Sequence, residues 1–212
     1  MIVDEDIIDY AEAHTSPEDD VLYRLNRWSH LSMPQPRMIA GAYQGELLTL
    51  FSRMIAPKHI VEIGSYVGYS TICLARGLTK DGILDAIEIN DELEDIILRN
   101  VSEANLSNRV KLHIGDAKEI IPTIQGNIDL AFIDADKRQL WDYYEMMLPR
   151  VKPGGWILID NVLWDGKVTN SETTDADTNI FRQLNDRIHQ DPRTENLLLP
   201  VRDGLLIIQK RP

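Results

Sequence analysis

The chain has 212 residues, 43% of them hydrophobic, and a formal net charge of −12 at pH 7. That size fits a single large domain with a real core. So acidic a surface repels phosphate backbones, which disfavours a nucleic-acid partner, and it attracts cations, metallic or organic.

The chain opens Met1-Ile2-Val3-Asp4-Glu5-Asp6, acidic where a secretory signal is basic. No apolar run approaches the length of a membrane span, so a cytoplasmic protein without a membrane partner is expected. Residues 2 to about 55 read as helices. Ile7, Ile8, Tyr10 and Ala11 form a short apolar stripe. Ser16-Pro17-Glu18-Asp19 looks like an N-cap, a proline at the first helical position and acids in the first turn. Val21, Leu22, Leu25 and Trp28 continue that second helix on one face. Met33-Pro34-Gln35-Pro36 interrupts it. A third helix carries Leu47, Leu48, Leu50, Phe51 and Met54 and stops before Pro57.

The period then changes. A strand over 59–63 leads through the turn Gly64-Ser65-Tyr66-Val67-Gly68 into a helix over 69–78, where Cys73, the single cysteine, reads as a small buried hydrophobe. Strands follow over 83–88, 110–114, 128–134 and 156–160, separated by helices over 92–104, 117–124 and 139–148. This alternation predicts a doubly wound, mostly parallel sheet with helices on both faces. Residues 164–177 are polar and read as a loop, of which 169–177 reads as solvated rather than as a site, with folding over a substrate as its alternative. A helix over 179–189 follows. Two apolar runs, 197–201 and 205–208, flank Arg202-Asp203-Gly204, a hairpin signal. The expectation is one α/β domain, 1–212, with a helical cap over 1–55 and a seven-stranded core over 56–212 whose last edge is antiparallel.

Ligands of open α/β sheets gather outside the carboxyl ends of the strands. Those ends read Glu62, Glu88, Asp116, Asp134 and Asp160, all acidic. A lone acid there is ordinarily a helix cap or a solvated turn residue. Five together crowd like charge, which is costly unless cations relieve it. Leu130-Ala131-Phe132-Ile133 runs into Asp134-Ala135-Asp136-Lys137, and Trp156-Ile157-Leu158-Ile159 runs into Asp160-Asn161. Neighbouring strands would bring Asp134, Asp160 and Asn161 to one rim. Three oxygen ligands suit a hard divalent cation. Lys137 beside it is a candidate base, its ordinary alternative being an ion pair with Asp134 or Asp136. Gly64 would let the backbone approach a ligand, or it marks a plain strand-to-helix turn. The spacing is not the dinucleotide Gly-x-Gly-x-x-Gly. Glu88 can accept both ribose hydroxyls of a nucleoside, and Asp116-Ala117 can reach an adenine. A nucleoside seat in an acidic crevice without a phosphate cradle suggests S-adenosylmethionine, whose sulfonium is a cation.

At this point the chain resembles a known family. Val61-Glu62-Ile63-Gly64-Ser65-Tyr66-Val67-Gly68-Tyr69-Ser70-Thr71 is similar to the first motif of the metal-dependent catechol and caffeoyl-coenzyme A type O-methyltransferases. Phe132-Ile133-Asp134-Ala135-Asp136-Lys137 and Asp160-Asn161-Val162-Leu163-Trp164-Asp165-Gly166 resemble its metal motifs. Asp191-Pro192-Arg193 and Leu199-Pro200-Val201-Arg202-Asp203-Gly204-Leu205 resemble its C-terminal signature. The resemblance implies that Asp134, Asp160 and Asn161 hold Mg²⁺ or Ca²⁺. It implies that Glu62, Gly64, Ser70, Glu88, Asp116 and Ala117 hold S-adenosylmethionine, with Met38 near the methionine end and Asp134 and Asp136 beside the sulfonium. Lys137 matches the residue that takes the hydroxyl proton. A homodimer is implied as well.

The implied chemistry is methyl transfer to a hydroxyl of a small aromatic diol whose oxygens complete the metal shell. Trp164 is either a wall for that ring or core; Trp28, Tyr23 and Trp141 read as packing residues. The five histidines lack metal-ligand spacing. Relatives that accept coenzyme A esters carry a basic, tyrosine-containing stretch before the last helix. Here residues 169–177 are acidic and would repel a polyphosphate, so a free catechol is the expected acceptor. Two alternatives stay open. An NAD-dependent dehydrogenase would share the fold and Glu88, but the glycine spacing is wrong for it and no hydride-relay pair is evident. A non-catalytic nucleoside-binding protein would need neither the metal ligands nor Lys137.

Overall fold

The computed structural model describes residues 5–212; the acidic start and the first part of the expected helical cap, residues 1–4, lie outside them. Three helices come first: α1 (Glu5–Ala13), α2 (Asp20–Ser32) and α3 (Gly41–Ile55). Asp19 caps α2, its carboxylate accepting from the Leu22 amide at 3.0 Å. Leu22 and Leu25 turn inward as the pattern predicts, whereas Ile7, Ile8 and Tyr10 on α1 are exposed.

Helix α3 buries an unexpected face. Leu50 and Met54 point to solvent, while Gln44, Gly45, Leu48, Thr49 and Ser52 are buried. Close packing on α4 (Tyr69–Ala75) is the cause. A Cβ on Gly45 would lie 2.7 Å from the Tyr69 ring, and the Ser52 hydroxyl donates to the Leu74 carbonyl at 2.6 Å. Small residues permit that approach and leave the larger apolar ones outside.

The strands are β1 (His59–Ile63), β2 (Ile83–Glu88), β3 (Val110–Ile114), β4 (Ile128–Ile133), β5 (Val151–Ile159), β6 (Thr194–Leu199) and β7 (Leu205–Lys210). They form one sheet in the order β3-β2-β1-β4-β5-β7-β6. The first five are parallel, and β7 runs antiparallel to both its neighbours. Every residue of β4 is buried, as an interior parallel strand requires. Helices α4, α5 (Glu94–Glu103), α6 (Ala117–Ile120), α7 (Leu140–Met147) and α8 (Ala176–His189) cover the sheet. One core layer contains Leu48, Ile60, Leu74 and Phe132, the other Val61, Ile133, Tyr144 and Phe181.

The expected fold class is observed, and the differences lie at element ends. The helix expected over 117–124 is α6 followed by a 3-10 turn, Ile121–Thr123, because Pro122 cannot donate to an α-helical ladder. Strand β5 begins at Val151, which pairs with Ile128 across a register shift. The hairpin joins Leu199 to Leu205 through the five residues 200–204, longer than a two-residue Asp-Gly turn. Among the described residues no helix is long and apolar enough to cross a membrane.

Candidate active site

Strand order reverses between β1 and β4. Chains leaving the two strands diverge there and open a crevice. Hydrogen bonds continue past the strand ends: Gly64 N donates to Ile87 O (2.9 Å), Asp134 N to Ile63 O (2.9 Å), Asp160 N to Ile133 O (3.0 Å) and Gly115 N to Glu88 O (2.8 Å). They level the strands, so the residues that follow emerge at one rim. Over that rim lies a cavity of about 1200 Å³. Of the expected site residues, Met38, Gly64, Glu88, Ala117, Asp134, Asp136, Lys137, Asp160 and Asn161 line it. Ser70 lines a small adjoining recess with Met38 and Gly64.

Glu88 is buried at the end of β2. Its Oε2 accepts from the Tyr66 amide at 2.8 Å and its Oε1 from the Asn90 amide at 2.9 Å. The carboxylate is fixed, with acceptor capacity left for a ligand. Asp116 takes the cap role, accepting from the Lys118 amide at 2.8 Å at the start of α6, and its neighbours Gly115 and Ala117 face the cavity instead.

Glu62 does not line the cavity. It is the penultimate residue of β1, and strand alternation turns it beneath the floor towards α4. The Ser65 hydroxyl donates to Oε2 at 3.1 Å and the Thr71 hydroxyl donates to the same atom. Among the described residues Oε1 has no partner. Burial pushes the carboxyl up to about 7, against the lowering effect of the Ser70, Thr71 and Ser65 hydroxyls. A raised folded value means that this group's contribution to stability is complete below its ordinary value of 4.5 and is lost as pH rises through about 7. Wild type should therefore lose stability relative to Glu62→Gln between pH 5 and pH 8, by up to roughly 3 kcal/mol. Urea unfolding of both proteins at the two pH values measures this. A difference that does not change with pH would contradict the burial of an ionisable acid at this place.

Asp134 and Asp160 follow β4 and β5. Asp160 is buried, and its two oxygens accept from the Gln44 side-chain amide (2.7 Å) and the Asn161 backbone amide (2.8 Å). Asn161 holds φ +63°, a left-handed conformation that asparagine tolerates. Burial pushes both aspartates up, and the charge of Asp160 pushes Asp134 further. The Arg202 guanidinium opposes both shifts. Among the described residues no group of three or more His, Cys, Asp or Glu side chains converges as a metal site; this rim offers two carboxylates and one amide. His59 and His113 both bond Asp85, each at 2.7 Å, away from the cavity lining.

Lys137 pairs with neither Asp134 nor Asp136. Its Nζ lies 2.7 Å from Asp177 Oδ2 and 4.1 Å from the centre of the Trp164 ring. Asp136 instead accepts from the Arg138 amide at 3.1 Å. Trp164 lines the cavity, stacks on Phe181 at 4.9 Å and also packs against the core layer, so the structure gives it both a cavity face and a core face. The segment read as a solvated loop is organised: Arg182 on α8 donates to the carbonyls of Val168 (3.0 Å), Thr173 (2.7 Å) and Lys167 (3.1 Å). That folding delivers Asp177 to Lys137. Asn161, Trp164, Asp165 and Arg202 all hold left-handed φ values at this rim. Backbone strain of this kind collects at functional sites.

Sequence reasoning missed Gln44, Asp177, Phe181 and Arg202 as site residues. Gln44 carried one signal, its spacing with Leu48 and Ser52 along one face of α3.

The profile of a family described as O-methyltransferase matches residues 12–211. The chain is 33% identical over 172 residues to a catechol O-methyltransferase of Niastella koreensis, covering 79% of this chain and 77% of that protein. It is 30% identical over 190 residues to a caffeoyl-CoA O-methyltransferase of Stellaria longipes, covering 84% and 79%. Among solved structures, the O-methyltransferase TomG of Streptomyces achromogenes in complex with SAM matches all of both chains with a TM-score of 0.87 at 27% identity. The O-methyltransferase of Bacillus cereus in complex with SAH matches 96% of each chain, with a TM-score of 0.84 at 29% identity. These matches set aside the dehydrogenase and the non-catalytic alternatives. The switch-point crevice is thus that of a methyl-transfer enzyme, and the chain belongs to the O-methyltransferase family as an S-adenosylmethionine-dependent member.

Proposed function

We propose that the enzyme methylates one hydroxyl of a small catechol-like diol, with Asp134, Asp160 and Asn161 holding Mg²⁺ or Ca²⁺ and Lys137 as the base. The observation that carries this reading is the pairing of Asp134 with Asp160 at the cavity rim, where burial and then the charge of Asp160 push the Asp134 carboxyl well above its usual range. Two such groups repel unless protonated or bridged by a cation. Two carboxylates and an amide oxygen are the donors a hard divalent ion takes, so the residues fit one. When bound, the ion would supply Lewis acidity towards the diol hydroxyls.

The chain's own residues would do the rest. Lys137 Nζ, once it has parted from Asp177 and released its own proton to solvent, would receive the hydroxyl proton. Trp164 and Phe181 would hold the ring and fix the line of attack on the methyl carbon. Glu88 would accept the ribose hydroxyls. Gly64 would admit the backbone close to the cofactor, with Met38 and Ser70 at the methionine end, Asp134 and Asp136 beside the sulfonium, and Ala117 against the adenine. Asp116 would act by fixing α6, and Glu62 by fixing the turn through Ser65 and Thr71. Of the acceptors named among the relatives, catechol suits this rim better than a coenzyme A ester, because residues 169–177 are acidic.

Methylation of catechol with labelled cofactor should fall at least about a hundredfold in EDTA and return with Mg²⁺, given that a Lewis-acid metal contributes several kcal/mol to such a step. Undiminished transfer in EDTA would end the metal role. We also read residues 1–212 as one domain and the enzyme as a homodimer, the latter supported by Ile7, Ile8 and Tyr10 exposed on α1. Light scattering that returned a monomer would remove the dimer.

A further inference from the structure

We infer that Arg202 is a built-in counter-charge to the Asp134–Asp160 pair, stabilising it before a divalent cation arrives and weakening the binding of that cation. The inference rests on the metal reading proposed above and concerns how readily the site loads.

The loop between β6 and β7 is held against the chain that leaves β5. Val162 N donates to Gly204 O at 3.1 Å and Leu163 N to Asp203 O at 2.8 Å. Gly204 has φ +92°, and a Cβ there would lie 2.5 Å from Leu163 Cγ. This contact fixes the loop at the cavity, where Arg202, itself at φ +48°, becomes part of the lining. Its Nη1 donates to Ile39 O at 2.8 Å, to Ala40 O, and to Gln44 Oε1 at 3.3 Å. The other end of the same amide, Gln44 Nε2, donates to Asp160 Oδ2 at 2.7 Å. Gln44 is therefore a bridge. A guanidinium has only donors, so it fixes the amide oxygen towards itself and the amide nitrogen towards the aspartate.

The electrostatics agree with this geometry. One amide separates the guanidinium from Asp160, and Arg202 lines the same cavity as Asp134 and Asp160, so its positive charge attracts the negative charge of the pair. Arginine keeps its charge at any working pH, so the effect is permanent. A fixed positive charge that steadies two empty carboxylates also repels a dication brought to them. By linkage, what stabilises the metal-free pair subtracts from metal affinity. On a chain of net charge −12 this tempers an otherwise strong attraction for cations.

The test is calorimetric titration of Mg²⁺ alone into metal-free wild type, R202Q and R202K, with urea unfolding in EDTA of wild type, R202Q, D160N and the double variant. R202Q should bind Mg²⁺ about tenfold more tightly, from the loss of one nearby charge, while R202K stays within about threefold of wild type. In EDTA, R202Q should be less stable than wild type, and the loss should be smaller in the D160N background, where only the bonds to the Ile39 and Ala40 carbonyls are still forfeited. Equal Mg²⁺ affinity in R202Q and wild type overturns the inference and leaves the metal reading standing. Failure of wild type to bind Mg²⁺ or Ca²⁺ overturns both. Should R202Q alone fail to fold, rescue by D160N supports the pairing, and failure of the double variant overturns it.

Discussion

Lys137→Ala is expected to lower turnover by about 10²- to 10⁴-fold, the usual share of a general base, while S-adenosylmethionine still binds. The Lys137 side chain is about a quarter exposed, and its bonds are one ion pair with Asp177 and a contact over Trp164. Partly exposed pairs of this kind contribute no more than about 1 kcal/mol, so the variant should fold. Lys137→Arg separates two roles. It keeps the charge, the reach and the stacking on Trp164, but a guanidinium does not give up its proton. If the residue takes the hydroxyl proton, arginine leaves turnover as low as alanine does. A return of turnover in Lys137→Arg would make the residue an electrostatic anchor instead. The pair with Asp177 sharpens the expectation. Only a neutral, unpaired Nζ can accept a proton, so the contact at 2.7 Å must open before the step.

How much of this was legible in the sequence depends on the range over which each feature is encoded. The apolar run over 130–133 and the acid after it are local, and the strand, its burial and the placing of Asp134 all followed. The same holds for Asp160 after β5. Glu62 shows the limit of reading acids at strand ends. It sits one residue inside the strand, and period-two alternation sends it into the layer under α4, so it supports the turn from below. Helix α3 shows another limit. Two of its apolar positions, Leu50 and Met54, face solvent because Gly45 and Ser52 allow α4 to approach closely, and no hydrophobic count along the chain encodes that closeness. Gln44 reaches Asp160, Arg202 reaches Gln44 and Asp177 reaches Lys137 from other segments of the fold. Such pairs exist only once the sheet order has brought those segments together, so no spacing in the sequence announced them.

Gly64→Ala should be the most damaging single-methyl change at the site, costing about 3–5 kcal/mol of stability and abolishing cofactor binding. Gly64 has φ +93°, and a Cβ there would lie 1.9 Å from the Asp134 carbonyl oxygen and 2.8 Å from its carbon. Both are backbone atoms, held by the bond from Asp134 N to Ile63 O and the bond from Gly64 N to Ile87 O. Neither can swing aside as a side chain would. Relief requires β1 and β4 to part at their carboxyl ends, which would displace Asp134 from Asp160 and open the rim that seats the cofactor. Gly154→Ala is the control. Its φ is +75°, and nothing lies within 4 Å of the added Cβ, so it carries the backbone strain without the collision. That change should cost only about 1–2 kcal/mol and leave cofactor binding intact. Thermal unfolding of the two variants, with calorimetric titration of S-adenosylmethionine, separates the terms. If Gly64→Ala proves no worse than Gly154→Ala, the strand ends are free to give way, and Asp134 is not held in place by the close approach of Gly64 to its carbonyl.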